Sequence, residues 1–97
     1  MTDLDTVYIR AENIVSREIA GEVILVPIRD NVGDLESIYT LNETAASIWA
    51  LLDGAHTLVQ IRDAVIAEYE TTLAEAEGDL LELVAQLEHV GAAQQVV

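Results

Sequence analysis

The segment that most constrains the fold is Leu41–Gly54 (LNETAASIWALLDG), which directly follows a short strand-like run at Ser37–Thr40. Asn42 is a favourable helix N-cap, because its side-chain oxygen can accept an N–H group of the first turn. Four apolar side chains then share one helical face: Ala45, Ile48, Trp49 and Leu52. Gly54 is a predicted left-handed stop. The segment therefore predicts a strand that turns sharply into a short capped helix, with Trp49 as a core anchor.

Length and composition limit the chain to one small domain. Its 97 residues are 52% hydrophobic but include no Phe, so aliphatic side chains must fill the core around the single Trp. The absence of Cys excludes a disulfide scaffold, a thiolate nucleophile and a Cys-based zinc site. No apolar run has the length of a membrane span, and the acidic start lacks the pattern of a signal peptide. We expect a soluble, cytoplasmic protein.

The charge balance excludes several classes of partner. Eighteen acidic residues face four arginines and no lysine, for a net charge of −14, and every residue after Arg62 is acidic or uncharged at neutral pH. Nucleic-acid affinity depends on Lys and Arg side chains that displace phosphate counterions. An anionic membrane surface would repel the chain for the same reason. The sequence thus predicts neither nucleic-acid nor membrane binding.

The first half of the chain indicates a small β-sheet. Residues 1–12 are polar and are predicted to form a flexible N-terminal arm, followed by a single domain over residues 13–97. Ile14–Ile19 and Glu22–Ile28 are rich in β-branched residues and flank a plausible tight turn at Ala20-Gly21, which predicts a hairpin. The second of these strands is apolar on both faces, so we expect it to be sandwiched between layers or central in its sheet, with Pro27 near its end. A turn-rich loop (29–35) and a third strand (36–41) follow.

The second half predicts helices. Thr57 with Gln60 forms a capping box for a second helix, and Thr72 with Glu75 forms another for a third helix that ends near Val90. The third helix has a predicted core stripe of Leu73, Ala76, Leu80, Leu83, Val84 and Leu87. Gly91 is a predicted C-cap, and the terminal Ala92–Val97 either forms a short strand or frays. The predicted fold class is α+β, with a three-stranded antiparallel sheet followed by three helices (βββααα).

The sequence contains no recognisable catalytic constellation. His56 and His89 are far apart and fit no metal-binding spacing. Acid pairs such as Glu75 and Asp79 are better explained as a solvated face on so acidic a chain. No phosphate-binding or nucleotide-binding motif is present. We expect a protein that is not an enzyme and that uses no metal or cofactor.

A binding surface is the remaining interpretation. A three-stranded sheet leaves an open edge, to which an extended peptide can add by backbone hydrogen bonds. The third strand is the natural candidate, because the first two strands pair with each other. On the third helix, Leu81 is displaced from the core stripe, and Glu77, Val84 and Glu88 share its flank. Leu81 either floors a groove or packs under the loops.

Several sequence blocks resemble a known family. The runs REIAGEVILV (17–26), IYTLNETAASIW (38–49), LLDG (51–54) and TLVQIRDAVIAEYE (57–70) look like the pyrroloquinoline-quinone (PQQ) biosynthesis protein D (PqqD) family. They are also similar to the wider class of precursor-peptide recognition elements that accompany peptide-modifying enzymes. The later acidic block Glu75, Ala76, Glu77, Asp79 adds to the resemblance, which covers about residues 13–91.

The resemblance implies a winged-helix-like domain that binds the leader part of a ribosomally made peptide and presents it to a modifying enzyme, often a radical S-adenosylmethionine protein. It implies peptide contacts along the third strand and on the third helix: Ser37, Ile38, Tyr39, Thr40, Glu77, Leu81, Val84 and Glu88. It transfers no catalytic residue. The acidity of this chain leaves open whether its pathway makes PQQ or another peptide product.

Two other functions remain open on sequence grounds. A winged helix can act as a transcription regulator, although the third helix here offers no basic residue to a DNA groove. The open edge could instead pair with a second copy of the chain, which would make the domain a structural or dimerisation module. The acidic third helix favours the peptide adaptor, and it predicts a leader that contains Lys or Arg.

Overall fold

The structure, a computed structural model, describes residues 4–28 and 39–96. Within these ranges the chain forms β1 (Val7–Arg10), β2 (Ile14–Ile19), β3 (Glu22–Pro27), β4 (Tyr39–Leu41), α1 (Glu43–Leu51), β5 (Asp53–Thr57), α2 (Leu58–Tyr69), α3 (Leu73–His89) and β6 (Ala93–Gln95). The strands form two separate antiparallel sheets, ordered β2-β3-β4 and β5-β1-β6. The α+β class is confirmed, but the simple succession of one sheet and then three helices is wrong.

The first sheet contains the predicted hairpin. Ile19 pairs with Glu22 across a two-residue turn in which Ala20 (φ 54°) and Gly21 (φ 84°) both have positive φ, as tight hairpins require. Pro27 is the last residue of β3, and β3 is central, as predicted. Of the predicted third strand, residues 39–41 form β4. The predicted loop at 29–35 and residues 36–38 lie outside the described residues.

The second sheet was not predicted. The assignment of residues 1–12 to a flexible arm is wrong for β1, which pairs with both β5 and β6 and whose Tyr8 is only 2% exposed. The partners of β1 lie more than 40 residues further along the chain, so no local pattern could reveal the pairing. For the C-terminal segment the sequence left a short strand or a frayed end open, and the structure shows the strand, β6.

The helix caps follow the sequence closely. Asn42 accepts the Ala45 N–H at 2.8 Å. Thr57 and Gln60 form the reciprocal capping box, with bonds of 2.8 and 3.2 Å. Gly54 has a positive φ of 81° but lies in β5, because α1 already ends at Leu51. The prediction of Gly54 as the helix stop is therefore wrong.

Both ends of α3 are capped, but the capping box predicted at its start forms only in part: the Glu75 carboxylate accepts from the Thr71 hydroxyl at 3.0 Å, and Thr72 alone caps the helix. Thr72 accepts the Glu75 N–H at 3.2 Å. At the other end Gly91 has a φ of 77°, its N–H donates to the Glu88 carbonyl at 3.1 Å, and the Ala92 N–H donates to the Leu87 carbonyl at 2.8 Å. This pair of bonds is the Schellman motif, which turns the chain from α3 toward β6.

One core joins the three helices with both sheets. Trp49 is buried in it, as predicted, together with Leu25 and Leu41 of the first sheet, Tyr8 of the second, and the inner face of α3. Leu73 is 53% exposed, so the predicted core stripe of α3 is wrong at its first position. No helix in the described part of the chain has the length and apolar character needed to cross a membrane.

Candidate functional site

A groove lies between β4, the start of α1 and the middle of α3, with a volume of about 290 Å³. We call it the β4–α3 groove. It is lined by Tyr39, Thr40, Asn42, Thr44, Ala45, Ile48, Asp79, Glu82, Leu83 and Gln86. This volume is at or below the lower limit of small-molecule sites, so it suits one or two side chains of a longer ligand.

The floor of the groove is apolar and its α3 rim is polar. Ile48 and Leu83 are core residues whose surfaces close the bottom of the groove. On the rim, Gln86 connects the two walls: its Oε1 accepts a hydrogen bond from the Tyr39 hydroxyl, and its Nε2 donates to Glu82 Oε1 at 3.5 Å. The hydrogen bond between Tyr39 and Gln86 holds β4 beside α3.

β4 is the end strand of its sheet. It pairs with β3 on one side, with Val23 opposite Leu41 and Leu25 opposite Tyr39. Among the described residues no strand pairs with its other side. An end strand has a row of backbone N–H and C=O groups that another strand can use. The other end strand of this sheet is β2.

The α3 residues that line the groove differ from those suggested by the sequence. Glu77 Oε1 accepts from Arg62 of α2 at 3.3 Å, Val84 is 1% exposed in the core, Leu81 is half-buried, and Glu88 is exposed. These four residues form one flank of α3. At 100° per residue around the helix axis, it lies about 180° from the flank formed by Asp79, Glu82, Leu83 and Gln86. The structure brings Tyr39 and Thr40 to the groove flank of α3, while Ser37 and Ile38 lie outside the described residues.

The groove residues of α3 were missed because periodicity locates a core stripe without showing which neighbour covers each side of it. Asp79, Glu82 and Gln86 do recur at helical spacing, which is the only sequence signal for a shared polar flank. Which flank of α3 lines the groove depends on where β4 packs, and the packing of β4 is part of the tertiary structure.

The electrostatics of the groove are acidic. Among the residues that the structure describes, its charged lining residues are Asp79 and Glu82, and none of its lining residues is basic. Arg62 is engaged on the opposite flank, where its guanidinium donates hydrogen bonds to Asp63 and to Glu77; these bonds, that to Asp63 first, raise the pKa of Arg62. Arg10 is engaged at the end of α1.

The two histidines lie in different elements of the fold. His56 lies in β5 and its Nδ1 contacts Asp53 Oδ1 at 2.9 Å. This hydrogen bond, followed by that from the Ala55 N–H, holds the pKa of Asp53 below its ordinary value. In the described ranges no group of three or more His, Cys, Asp or Glu side chains is placed to hold a metal ion.

Comparison with known proteins identifies the family. Residues 22–92 match the family model described as coenzyme PQQ synthesis protein D (PqqD). The chain belongs to this family. The match begins at β3 and ends after α3, so it includes β4 and both walls of the groove. No curated protein matches the chain.

Two solved structures share the fold. One is described as lasso peptide synthetase B1 complexed with the leader peptide; it is 26% identical, with a TM-score of 0.73, and the alignment covers 90% of this chain and 96% of that one. The other is described as TbiB1 in complex with the TbiA(beta) leader peptide, at 24% identity, a TM-score of 0.71, and coverage of 89% and 94%. Each alignment covers nearly the whole of both chains.

Proposed function

We propose that this protein is an adaptor that binds the leader of a ribosomally made precursor peptide and presents it to a modifying enzyme, with no reaction of its own. The observation that carries the proposal is the end strand β4 beside an open groove. Family membership and the leader-peptide complexes of lasso peptide synthetase B1 and TbiB1 support it.

The binding mode that we propose is strand addition. The leader extends the sheet next to β4 through backbone hydrogen bonds, and every second side chain of the leader points into the groove. Backbone pairing provides affinity that depends little on sequence, whereas the groove selects side chains. This division suits an adaptor that must recognise one peptide without altering it.

We propose that Ser37, Ile38, Tyr39 and Thr40 form the strand side of the site. On α3 we propose the flank of Asp79, Glu82, Leu83 and Gln86, because these residues line the groove beside β4. Glu77, Leu81, Val84 and Glu88, which the family resemblance implied, are the alternative flank, and variants can distinguish the two.

We further propose that the partner is a peptide-modifying enzyme in the cytoplasm, where precursor peptides are synthesised. The family model is described as a coenzyme PQQ synthesis protein, whereas one of the solved structures is described as a lasso peptide synthetase. The adaptor role is compatible with both pathways, and a radical S-adenosylmethionine enzyme is the partner that the resemblance implies.

Strand addition can be tested with the leader of a short precursor peptide identified among the genes that neighbour this one. Fluorescence anisotropy would measure its affinity, and a series of leaders, each N-methylated at one backbone position, would locate the hydrogen bonds. We expect affinity to fall at every second position of the bound segment, because only alternate N–H groups face β4. A uniform response along the segment, or no binding of the unmodified leader, would contradict the proposal.

The groove can be tested by filling it. Ala45 lines the groove on α1, so Ala45→Phe should obstruct it and weaken leader binding at least about tenfold, which corresponds to about 1.4 kcal/mol. The matched control is Ala85→Phe, which adds the same ring to an exposed position of α3 outside the groove. Circular dichroism would show that both variants fold. Loss of binding in Glu88→Ala, with Ala45→Phe unaffected, would instead assign the site to the alternative flank.

A further inference from the structure

The chemistry of the groove limits which peptides it can accept. Its charged lining residues, Asp79 and Glu82, lie one helical turn apart on the same rim. Like charges at this spacing repel each other, and a cation placed between them relieves the repulsion. Neither carboxylate has a basic partner among the described residues, since the ion pairs there involve Asp53, Asp63 and Glu77.

The apolar floor lies directly beside these acids. Leu83 follows Glu82 in the sequence, and Ile48 of α1 completes the floor. A ligand side chain that packs on the floor and one that reaches the rim would therefore lie close together in space. In an extended peptide, side chains on the same face are two residues apart, at about 6.6 Å.

We infer that the β4–α3 groove selects leader segments in which a lysine or arginine stands two positions from an aliphatic or aromatic residue, with Asp79 and Glu82 contacting the cation. This inference rests on the proposed function and adds to it the chemical class of the peptide. It concerns these two carboxylates specifically, and not the general attraction of a chain with net charge −14 for cations.

A displayed library of random 12-residue peptides, selected against the purified protein, tests the inference without knowledge of the natural leader. We expect enrichment of Lys or Arg at a fixed distance of two residues from an apolar position. The selected peptides would then be titrated against Asp79→Asn/Glu82→Gln and against the control Glu12→Gln/Glu68→Gln, which removes the same charge at exposed positions outside the groove and outside the alternative flank.

The two double variants separate contact from long-range attraction. We expect the groove variant to bind about fivefold more weakly and to lose most of its salt dependence, because two exposed ion pairs are removed. The control should remain within about twofold of the wild type, because its residues do not line the groove and salt screens exposed charges that the peptide does not contact. Selected peptides without a Lys or Arg preference, or an equal loss in both variants, would overturn the inference while leaving leader binding intact. Failure to select any peptide would instead count against the proposed function.

Discussion

At the scale of single residues, Arg10 connects parts of the chain that are far apart in sequence. Its Nη1 donates to the carbonyls of Trp49 at 3.2 Å and of Ala50 at 3.1 Å, near the C-terminus of α1. The guanidinium also lies 5.9 Å from the centre of the Trp49 ring. The last turn of α1 has no basic residue of its own. Arg10 therefore provides the cation that the negative end of the helix dipole favours.

Arg10→Ala should lower the free energy of unfolding by about 1–2 kcal/mol, since it removes two charged hydrogen bonds and a cation–π contact. Urea denaturation would measure the change. Arg17→Ala is the matched control, because Arg17 is exposed and no ion pair or hydrogen bond of its side chain occurs within the described ranges. It should change the stability by less than about 0.5 kcal/mol. Equal effects of the two substitutions would contradict the role of Arg10.

Asp53 provides a prediction about pH. Its pKa is lowered by the hydrogen bond from His56, so folding favours the ionised carboxylate. The contribution to stability is complete above the ordinary aspartate pKa of about 3.9, and it disappears as the pH falls through the lower pKa of the folded state. A carboxyl ¹³C titration should show this lowered midpoint, and His56→Ala should move it back toward the ordinary value. An unchanged midpoint would show that His56 is not the cause.

At the scale of elements, local chemistry determined what could be predicted. The hairpin turn at Ala20-Gly21 and the caps at Asn42, Thr57 and Thr72 depend on residues within a few positions of each other, and all four are present in the structure. The β5-β1-β6 sheet depends on pairing between distant segments, and β5 (DGAHT) has little strand propensity of its own. The flank of α3 beside β4 was unpredictable for the same reason.

Two glycines of the α3 region should respond in opposite directions to the same substitution. Gly78 lies inside α3, where an added Cβ would meet no atom within 4 Å, so Gly78→Ala should stabilise the protein by about 1 kcal/mol through helix propensity. Gly91 also has room for a Cβ, but its φ of 77° disfavours any other residue, so Gly91→Ala should destabilise by about 1 kcal/mol. Thermal unfolding of both variants would measure the contrast. A change of the melting temperature in the same direction for both variants would contradict the capping role of Gly91.

At the scale of the whole molecule, charge distinguishes the possible functions. A net charge of −14 and the acids on the outer faces of α3 oppose the insertion of this helix into a DNA groove, which a winged-helix regulator would need. The same charge opposes close association of two copies. A cationic peptide is attracted by this field, and the groove beside β4 provides the place where it can be held.

A leader peptide that adds to β4 and lies in the β4–α3 groove would change the surroundings of both walls of the groove. Titration of ¹⁵N-labelled protein with the leader would map these changes, because each backbone amide reports on its own surroundings. We predict the largest shifts at Tyr39–Leu41 and at Asp79, Glu82 and Gln86, with slower hydrogen exchange of the β4 amides. Shifts concentrated instead along β2, or on the flank of Glu77 and Glu88, would contradict strand addition at β4.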